Sequence, residues 1–420
     1  MNAVRSCQPA GNRAFPSEDE THALVDEVVA FVHRVIEPLE SSYARLLSNP
    51  RNMYNEDGVP VPEYKEARRR ARMASAEAGY YALFAPKSLG GGETGAVAMF
   101  LIWEALYREF GPGRPLVDDV VGGWNRGPSE IISLFSPSLQ HRISPRLMTG
   151  AEIFCFGLSE PDTGSDAWSM STHAERESGG WRINGTKKWI SDAPYADYVL
   201  VFAVTDAQER EAHRGGISAF LVPMSLDGVH VSEAIAIFGE IGGIRAVVEL
   251  DDVHVADEFM VGKPGEALPT AQAGVSLGRL ANAGRAVGMS RWALRLAAEY
   301  AGNRKTFGQP ISAHQAIQFM IADSMIEAYA AYSMALDCAR KIDLGDSSPK
   351  RLAMVKTFAC ERGFEILDRC MQVHGGVGFV NETRLYAGWH QLRVLRVADG
   401  SSEILRRLVA RQVLRGDDSF

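Results

Sequence analysis

The period of the apolar residues changes twice along this chain, and no other feature limits its fold so much. From residue 17 to about 149 they recur at helical spacing; near residue 150 the spacing shortens to that of strands; near residue 268 it turns helical again and stays so to about 415. In the first block Ser17 and Glu20 are placed as a capping box, and Leu24, Val25, Val28, Val32, Val35 and Ile36 follow at helical intervals. Pro60, Gly90-Gly91-Gly92 and Gly111-Pro112-Gly113 punctuate the block. In the second, short β-branched and aromatic runs (Ile153–Leu158, Trp181–Ile183, Tyr198–Val204, Ile217–Val222, Ala246–Val255) alternate with turn residues. That pattern suits a small antiparallel sandwich or barrel. In the third, Ile317, Phe319, Met320, Met325, Ile326, Tyr329, Tyr332 and Leu336 form a stripe wide enough for a buried bundle helix. Helix, strand, helix in three blocks is not a βαβ alternation. It predicts an α+β chain, mostly α: a flexible tail over 1–16, an N-terminal helical domain over 17–149, a middle antiparallel β-sandwich or barrel domain over 150–264, and a C-terminal four-helix bundle over 265–420.

A chain of 420 residues, 46% hydrophobic and 23% charged, can bury a large core without metals or disulfides. Its formal charge of -8 gives no support to nucleic-acid binding. The short run Arg68-Arg69-Arg70-Ala71-Arg72, flanked by Glu66 and Glu77, predicts a solvated helix face. The cysteines, 5 in all (Cys7, Cys155, Cys338, Cys360, Cys370), lack C-x-x-C spacing, which argues for a reducing compartment and against zinc. The histidines show no ligand spacing, so no metal site is expected. No apolar run reaches the ~18 residues of a membrane span, and no signal core opens the chain; a cytoplasmic protein is expected. Gly274-Val275-Ser276-Leu277-Gly278 matches G-x-S-x-G, but it lies in a helical block and no histidine follows Asp399. Gly375-Gly376-Val377-Gly378 is no G-x-G-x-x-G. Hydrolase and dinucleotide-binding folds therefore find no support.

Chemistry concentrates in two segments of the β block, Phe156-Gly-Leu158-Ser159-Glu-Pro-Asp-Thr-Gly164-Ser165-Asp166 and Asn184-Gly-Thr-Lys-Lys-Trp189-Ile190-Ser191. Trp189 and Ser191 are two apart, so on a strand they share a face, and a flat aromatic beside a short hydroxyl can hold a flat polar heterocycle. Three further segments lie in the C-terminal block. The first is Arg304-Lys-Thr306-Phe307-Gly308-Gln309 followed by His314-Gln315-Ala-Ile-Gln318-Phe319. The second is Gln372-Val-His374-Gly375-Gly376-Val-Gly378, whose bare backbone lets amides approach phosphate. The third is Leu395-Arg-Val-Ala-Asp399-Gly400-Ser401-Ser402-Glu403-Ile404. Together, and in this order, the five segments resemble the acyl-CoA dehydrogenase family, from about residue 20 to 415.

That resemblance implies FAD as cofactor and α,β-dehydrogenation of an acyl-CoA thioester, the α-proton going to a carboxylate and a hydride passing from the β-carbon to flavin N5. It implies that Phe156, Leu158, Ser159, Gly164, Ser165, Trp189, Ile190 and Ser191 meet the flavin, and that Arg304, Thr306, Phe307, His314, Gln315, Gln372, Gly375, Gly376, Ser401 and Glu403 serve the same cofactor, partly across a subunit boundary. Ser165, Ser276, Arg279 and Gly400 correspond to substrate contacts, with Ser276 where the family carries an aspartate. The base corresponds to Asp399, where the family has glutamate; the family's alternative base position is Gly278. Hydrogen bonds to the thioester carbonyl come, by resemblance, from the flavin ribityl hydroxyl and the Asp399 amide. Aspartate is shorter by one C–C bond, about 1.5 Å, and a misplacement of about 1 Å costs about a hundredfold in rate. Two relatives keep aspartate here: the branch similar to mammalian enzymes of 4-hydroxy-acid breakdown, and nitroalkane oxidase. The residues thus leave a flavin oxidase or monooxygenase open beside the dehydrogenase, and a non-catalytic flavin scaffold as a third possibility. The implied partners are an acyl-CoA or acyl-carrier substrate, an electron-transfer flavoprotein, and further copies of the chain in a homotetramer or homodimer, with no nucleic acid and no membrane. Asp118, Asp119, Trp124, Asn125 and Arg126 fall where the acyl tail would end, which predicts a short, functionalised or ring-bearing acyl group; the alternative is that these charges face solvent or cap helices.

Overall fold

The computed structural model describes residues 15–238 and 242–420. The tail expected over 1–16 lies outside them as far as residue 14. In chain order the main elements are helices α1 (Glu18–Phe31), α2 (Pro62–Glu77) and α3 (Gly95–Phe110), then strands β1 (Phe154–Gly157), β2 (His173–Glu177), β3 (Gly180–Ser191), β4 (Tyr198–Val204), β5 (Ile217–Pro223), β6 (Val229–Ile235), β7 (Arg245–Ala256) and β8 (Met260–Val261). Helix α4 (Ala267–Asn303), the two short strands β9 (Lys305–Thr306) and β10 (Gln309–Pro310), and helices α5 (Gln315–Asp343), α6 (Pro349–His374), α7 (Leu385–Leu395) and α8 (Ser402–Val413) follow. They group into two compact units. One holds the chain up to Phe31, Thr94–Arg114 and Ser276–Phe420; the other holds Val32–Glu93 and Pro115–Val275. The block 17–149 thus gives α1 and α3 to the first unit and α2 to the second. Among the described residues no helix is long and apolar enough to cross a membrane.

The first unit is helical. The Ser17–Glu20 box opens α1 as expected, with the Ser17 amide donating to Glu20 Oε2 at 2.7 Å and the Glu20 amide donating to Ser17 Oγ at 3.3 Å. Helix α3 is mostly apolar and almost wholly buried, the behaviour of a central helix. Asp343, at the end of α5, caps its first turn by accepting from the Ala96 and Val97 amides at 2.7 and 3.0 Å. Helix α4 lies close on α3 because Gly284 and Gly288 face it: a Cβ at Gly288 would stand 2.4 Å from the Glu104 carbonyl oxygen. The large apolar residues of α5 differ from expectation. The helix buries a seam of small residues (Ala328, Ala331, Ala335, Ala339), while Phe319, Met325, Ile326 and Tyr329 are 58%, 58%, 67% and 70% exposed. Small side chains let α5 approach α6 and α3 closely, and the bulky ones are turned outward.

The second unit is built on a sheet ordered β6-β7-β3-β2-β4-β5-β8, with β1 also pairing β4. Most neighbours are antiparallel, as expected; β1 and a single residue pair of β2 run parallel to β4. All of β4 is buried, which explains its unbroken apolar run. Leu200 and Phe202 meet Phe154, Leu221 and a layer from the preceding helical turns (Ile131, Leu139, Leu147). Val199 and Val201 point the other way, to Ile183, Ile190, Phe220 and Val248.

Candidate functional site

In the first unit Asp399 sits in the loop between α7 and α8, in the left-handed region at φ 54. Such a conformation is costly for a residue with a Cβ and persists only where neighbours hold it. Three side-chain cations and amides do so. Lys356 of α6, fully buried, donates its ammonium to the carbonyls on either side, Ala398 at 2.9 Å and Gly400 at 2.8 Å. Arg279 of α4 donates Nε to the carbonyl of Asp399 itself at 3.1 Å. Asn282, one turn later on α4, donates Nδ2 to the carboxylate Oδ2 at 2.7 Å. Burial pushes the Asp399 carboxyl up from its ordinary value, while Asn282, Lys356, Arg285 and Arg279 oppose that rise. Of the residues matched to substrate, Gly400 and Arg279 adjoin here: a Cβ at Gly400 would stand 3.3 Å from Arg279 Nη2. Ser276 lies one turn before Arg279 on α4. Ser401 caps α8 by accepting from the Ile404 amide at 3.3 Å, and Glu403 is exposed in the first turn of that helix. Lys356 and Asn282 escaped notice in the sequence. A lysine set among Val355, Ala359 and Cys360 was the available signal.

The same unit presents the β9–β10 hairpin and the turn after α6. Arg304, Phe307, Gln315, Gln372, Gly375 and Gly376 are exposed, Phe307 by 96%. Thr306 Oγ1 and His314 Nε2 are 3.4 Å apart. A Cβ at Gly375 or Gly376 would meet no atom within 4 Å, so this backbone faces open space.

In the second unit Trp189, Ile190 and Ser191 end β3. Trp189 and Ser191 flank the inward-pointing Ile190, but the strand before them is irregular. Lys187 pairs with Val248 and Ile190 with Ala246, so β3 carries one extra residue, and Trp189 takes φ 66. The bulge reverses parity: Lys187 points inward before it and Ile190 after it, leaving Trp189 outside with 52% of its surface exposed. Beside it, the segment after β1 is clamped by an ion pair. Lys187, fully buried, donates to Glu160 Oε1 at 2.8 Å and to the Leu158 carbonyl at 3.3 Å. Glu160 also accepts from the Ser171 amide and hydroxyl at 2.6 and 2.7 Å and from the Thr172 amide at 3.0 Å. Burial alone would raise the Glu160 carboxyl; Lys187 and these donors bring it down to about 2. The Lys188 amide donates to the Ser159 carbonyl at 2.9 Å, tying the segment to β3. Leu158 and Ser159 are half-buried; Gly164 and Ser165 are exposed. Phe156 packs its ring edge-on to Trp124, centroids 4.7 Å apart.

Two expectations are corrected here. The basic run on α2 is a solvated face only in part: Arg69 and Arg70 are exposed, but Arg68 and Arg72 are buried. Arg68 forms a two-pronged ion pair with Asp119 at 2.6 and 2.9 Å, and Arg72 Nη1 stands 3.7 Å from the same carboxylate. Arg126 bridges Asp119 at 3.3 Å and Asp192 at 2.5 Å, and the Tyr195 hydroxyl donates to Asp192. Asp119 and Arg126 are therefore neither solvent-facing charges nor polar groups offered to a ligand tail. They are consumed in a buried network that anchors Asp192, the residue after Ser191.

The residues present fit a flavin: an exposed aromatic beside a hydroxyl at the end of β3, and open glycine backbone at the turn after α6. The family model described as acyl-CoA dehydrogenase, middle domain, matches residues 155–253, and that described as acyl-CoA dehydrogenase, C-terminal domain, matches 268–414. The chain is 32% identical over 337 residues to the short-chain specific acyl-CoA dehydrogenase of Homo sapiens, covering 80% of each chain. It is 29% identical over 343 residues to the caffeyl-CoA reductase-Etf complex subunit CarC of Acetobacterium woodii, covering 81% of this chain and 88% of that one. The solved glutaryl-CoA dehydrogenase of Mycobacterium smegmatis superposes with a TM-score of 0.78 at 25% identity, over 96% of both chains.

Proposed function

This chain belongs to the acyl-CoA dehydrogenase family, FAD-dependent oxidoreductases, and we propose that within it Asp399 is the base that takes the α-proton of an acyl-CoA thioester. One observation carries this: a half-buried carboxylate is held in a left-handed backbone by Lys356, Arg279 and Asn282, none of which neutralises it through a direct two-pronged ion pair. Burial raises the carboxyl from its ordinary value toward that of a useful base, and the neighbouring donors oppose that rise. The Asp399 amide would donate to the thioester carbonyl and stabilise the developing enolate. Bound FAD supplies the acceptor for the hydride that leaves the β-carbon.

Trp189 would cover the flavin ring and Ser191 would donate to it, with Phe156, Leu158, Ser159, Gly164, Ser165 and Ile190 around them. Arg304, Thr306, Phe307, His314, Gln315, Gln372, Gly375, Gly376, Ser401 and Glu403 remain the candidates for the rest of the cofactor. Ser165, Ser276, Arg279 and Gly400 remain candidates for the substrate. Because Asp119 and Arg126 are paired, they no longer argue for a polar acyl tail. An electron-transfer flavoprotein is the proposed acceptor, in keeping with the Etf complex named for the Acetobacterium relative. The outward apolar face of α5 supports assembly with further copies of this chain.

Asp399→Asn tests the base. The variant keeps its FAD and loses about a thousandfold or more in turnover, the scale expected when a proton-transfer group is removed. Undiminished turnover would end the assignment.

A further inference from the structure

Asn282 is buried, and both ends of its amide are engaged. Arg285 Nη1 lies 3.4 Å from Asn282 Oδ1, and the Arg285 guanidinium carbon sits 3.9 Å above the Trp103 ring of α3. A guanidinium has only donors, so the amide end that faces it must be the oxygen. The NH2 end is thereby turned to Asp399, where it donates to Oδ2 at 2.7 Å. We infer that Asn282, oriented by Arg285 over Trp103, is a positioning residue that locks the Asp399 carboxylate in one orientation and leaves Oδ1 as the atom that accepts the proton. This rests on Asp399 being the base.

An aspartate base has a shorter reach than a glutamate, so its carboxylate must be aimed more closely; angular errors of a misplaced base are costly. Arg279 and Lys356 bind the backbone of the loop and fix where the side chain starts. Only Asn282 binds a carboxylate oxygen among the contacts described, so it fixes where the side chain ends. The charged and titratable groups that face Asp399 are Arg279 and Arg285 from α4 and Lys356 and Cys360 from α6. Burial pushes the Cys360 thiol up to about 11, so it adds no charge near neutral pH. Asn282 is the largest influence that lowers the Asp399 carboxyl against burial. Removing it should make the carboxylate easier to protonate.

The test uses the FAD-loaded enzyme with Asn282→Leu, which keeps the volume and removes the donor. The acid limb of the kcat/KM profile moves to higher pH by about one unit, the scale of one hydrogen bond to a charged group. At the pH optimum kcat falls about tenfold to a hundredfold, with FAD content unchanged. An independent readout is the infrared carboxylate stretch of the resting holoenzyme titrated with acid, with Asp399→Asn subtracted; the Asp399 signal shifts to higher pH in the variant. Arg285→Met, at the half-exposed end of the relay, shows the same direction with a smaller shift, and it carries the test if Asn282→Leu does not fold. Unchanged acid limbs and infrared titrations in either folded variant would overturn the relay while leaving the base in place. Normal turnover in Asp399→Asn would instead remove the base.

Discussion

A lysine ammonium with no solvent exposure is expensive unless it finds acceptors inside the fold. Lys356 meets that condition by spanning a strained residue: its two acceptors, Ala398 and Gly400, flank Asp399. Replacing it by methionine would keep the stem packing and strand two carbonyls. Lys356→Met should lower stability by about 2 kcal/mol and reduce turnover together, because Asp399 would lose the brace that holds its φ. Chemical denaturation and steady-state rates on the FAD-loaded variant check this; wild-type values for both would show that the brace is idle. Asp399 itself was legible in the sequence as the acidic member of a recognisable stretch. Lys356 and Asn282 were not, because each lies in an ordinary helical run and gains its meaning from a loop 43 and 117 residues away respectively.

At the scale of elements, the end of β3 and the segment after β1 form one mechanical piece. The β3 bulge sets Trp189 outside, and the residue just before the bulge, Lys187, reaches back to hold Glu160. Glu160→Gln would leave a buried ammonium without its counter-charge and should cost about 3 kcal/mol at neutral pH. The pH dependence has a definite sign. The folded Glu160 carboxyl is depressed to about 2 from an ordinary 4.5, so its contribution is complete above the higher value and is lost as pH falls toward the lower. The stability gap between wild type and Glu160→Gln therefore narrows between about pH 5 and pH 2 in urea unfolding; a constant gap would show that the ion pair contributes nothing. The helical blocks and strands β1, β4, β5 and β7 were legible from period and composition; β2 and β6, largely polar runs, were not. Nor was the bulge: alternation in Lys187-Lys188-Trp189-Ile190-Ser191 puts Trp189 and Ser191 on either side of Ile190, but does not give the parity switch that makes Lys187 inward. Helix α5 was misjudged for a related reason, since its buried seam is alanine and periodicity follows large side chains.

At the scale of the molecule, apolar surface is left over. Phe319, Ile326 and Tyr329 lie on one helix and are more than half exposed, an arrangement that an isolated chain in water does not favour. If further copies cover this face, Ile326→Glu with Tyr329→Glu should reduce the sedimenting mass to a smaller species while secondary structure persists. An unchanged mass would place the interface elsewhere. Arg68 and Arg72 of α2 and Asp119 after α3 show the complementary case, where composition pointed to solvent or ligand and the fold instead closed them into one ion-pair network. The most direct measurement is an anaerobic titration of the FAD-loaded protein with acyl-CoAs, short-chain and aryl-substituted thioesters among them, run beside Asp399→Asn and followed at the flavin band near about 450 nm. Bleaching of the wild type by at least one thioester, absent in Asp399→Asn, is the predicted result. Bleaching by the variant as fast as by the wild type, or none by any thioester while oxygen is consumed with a nitroalkane, would contradict it.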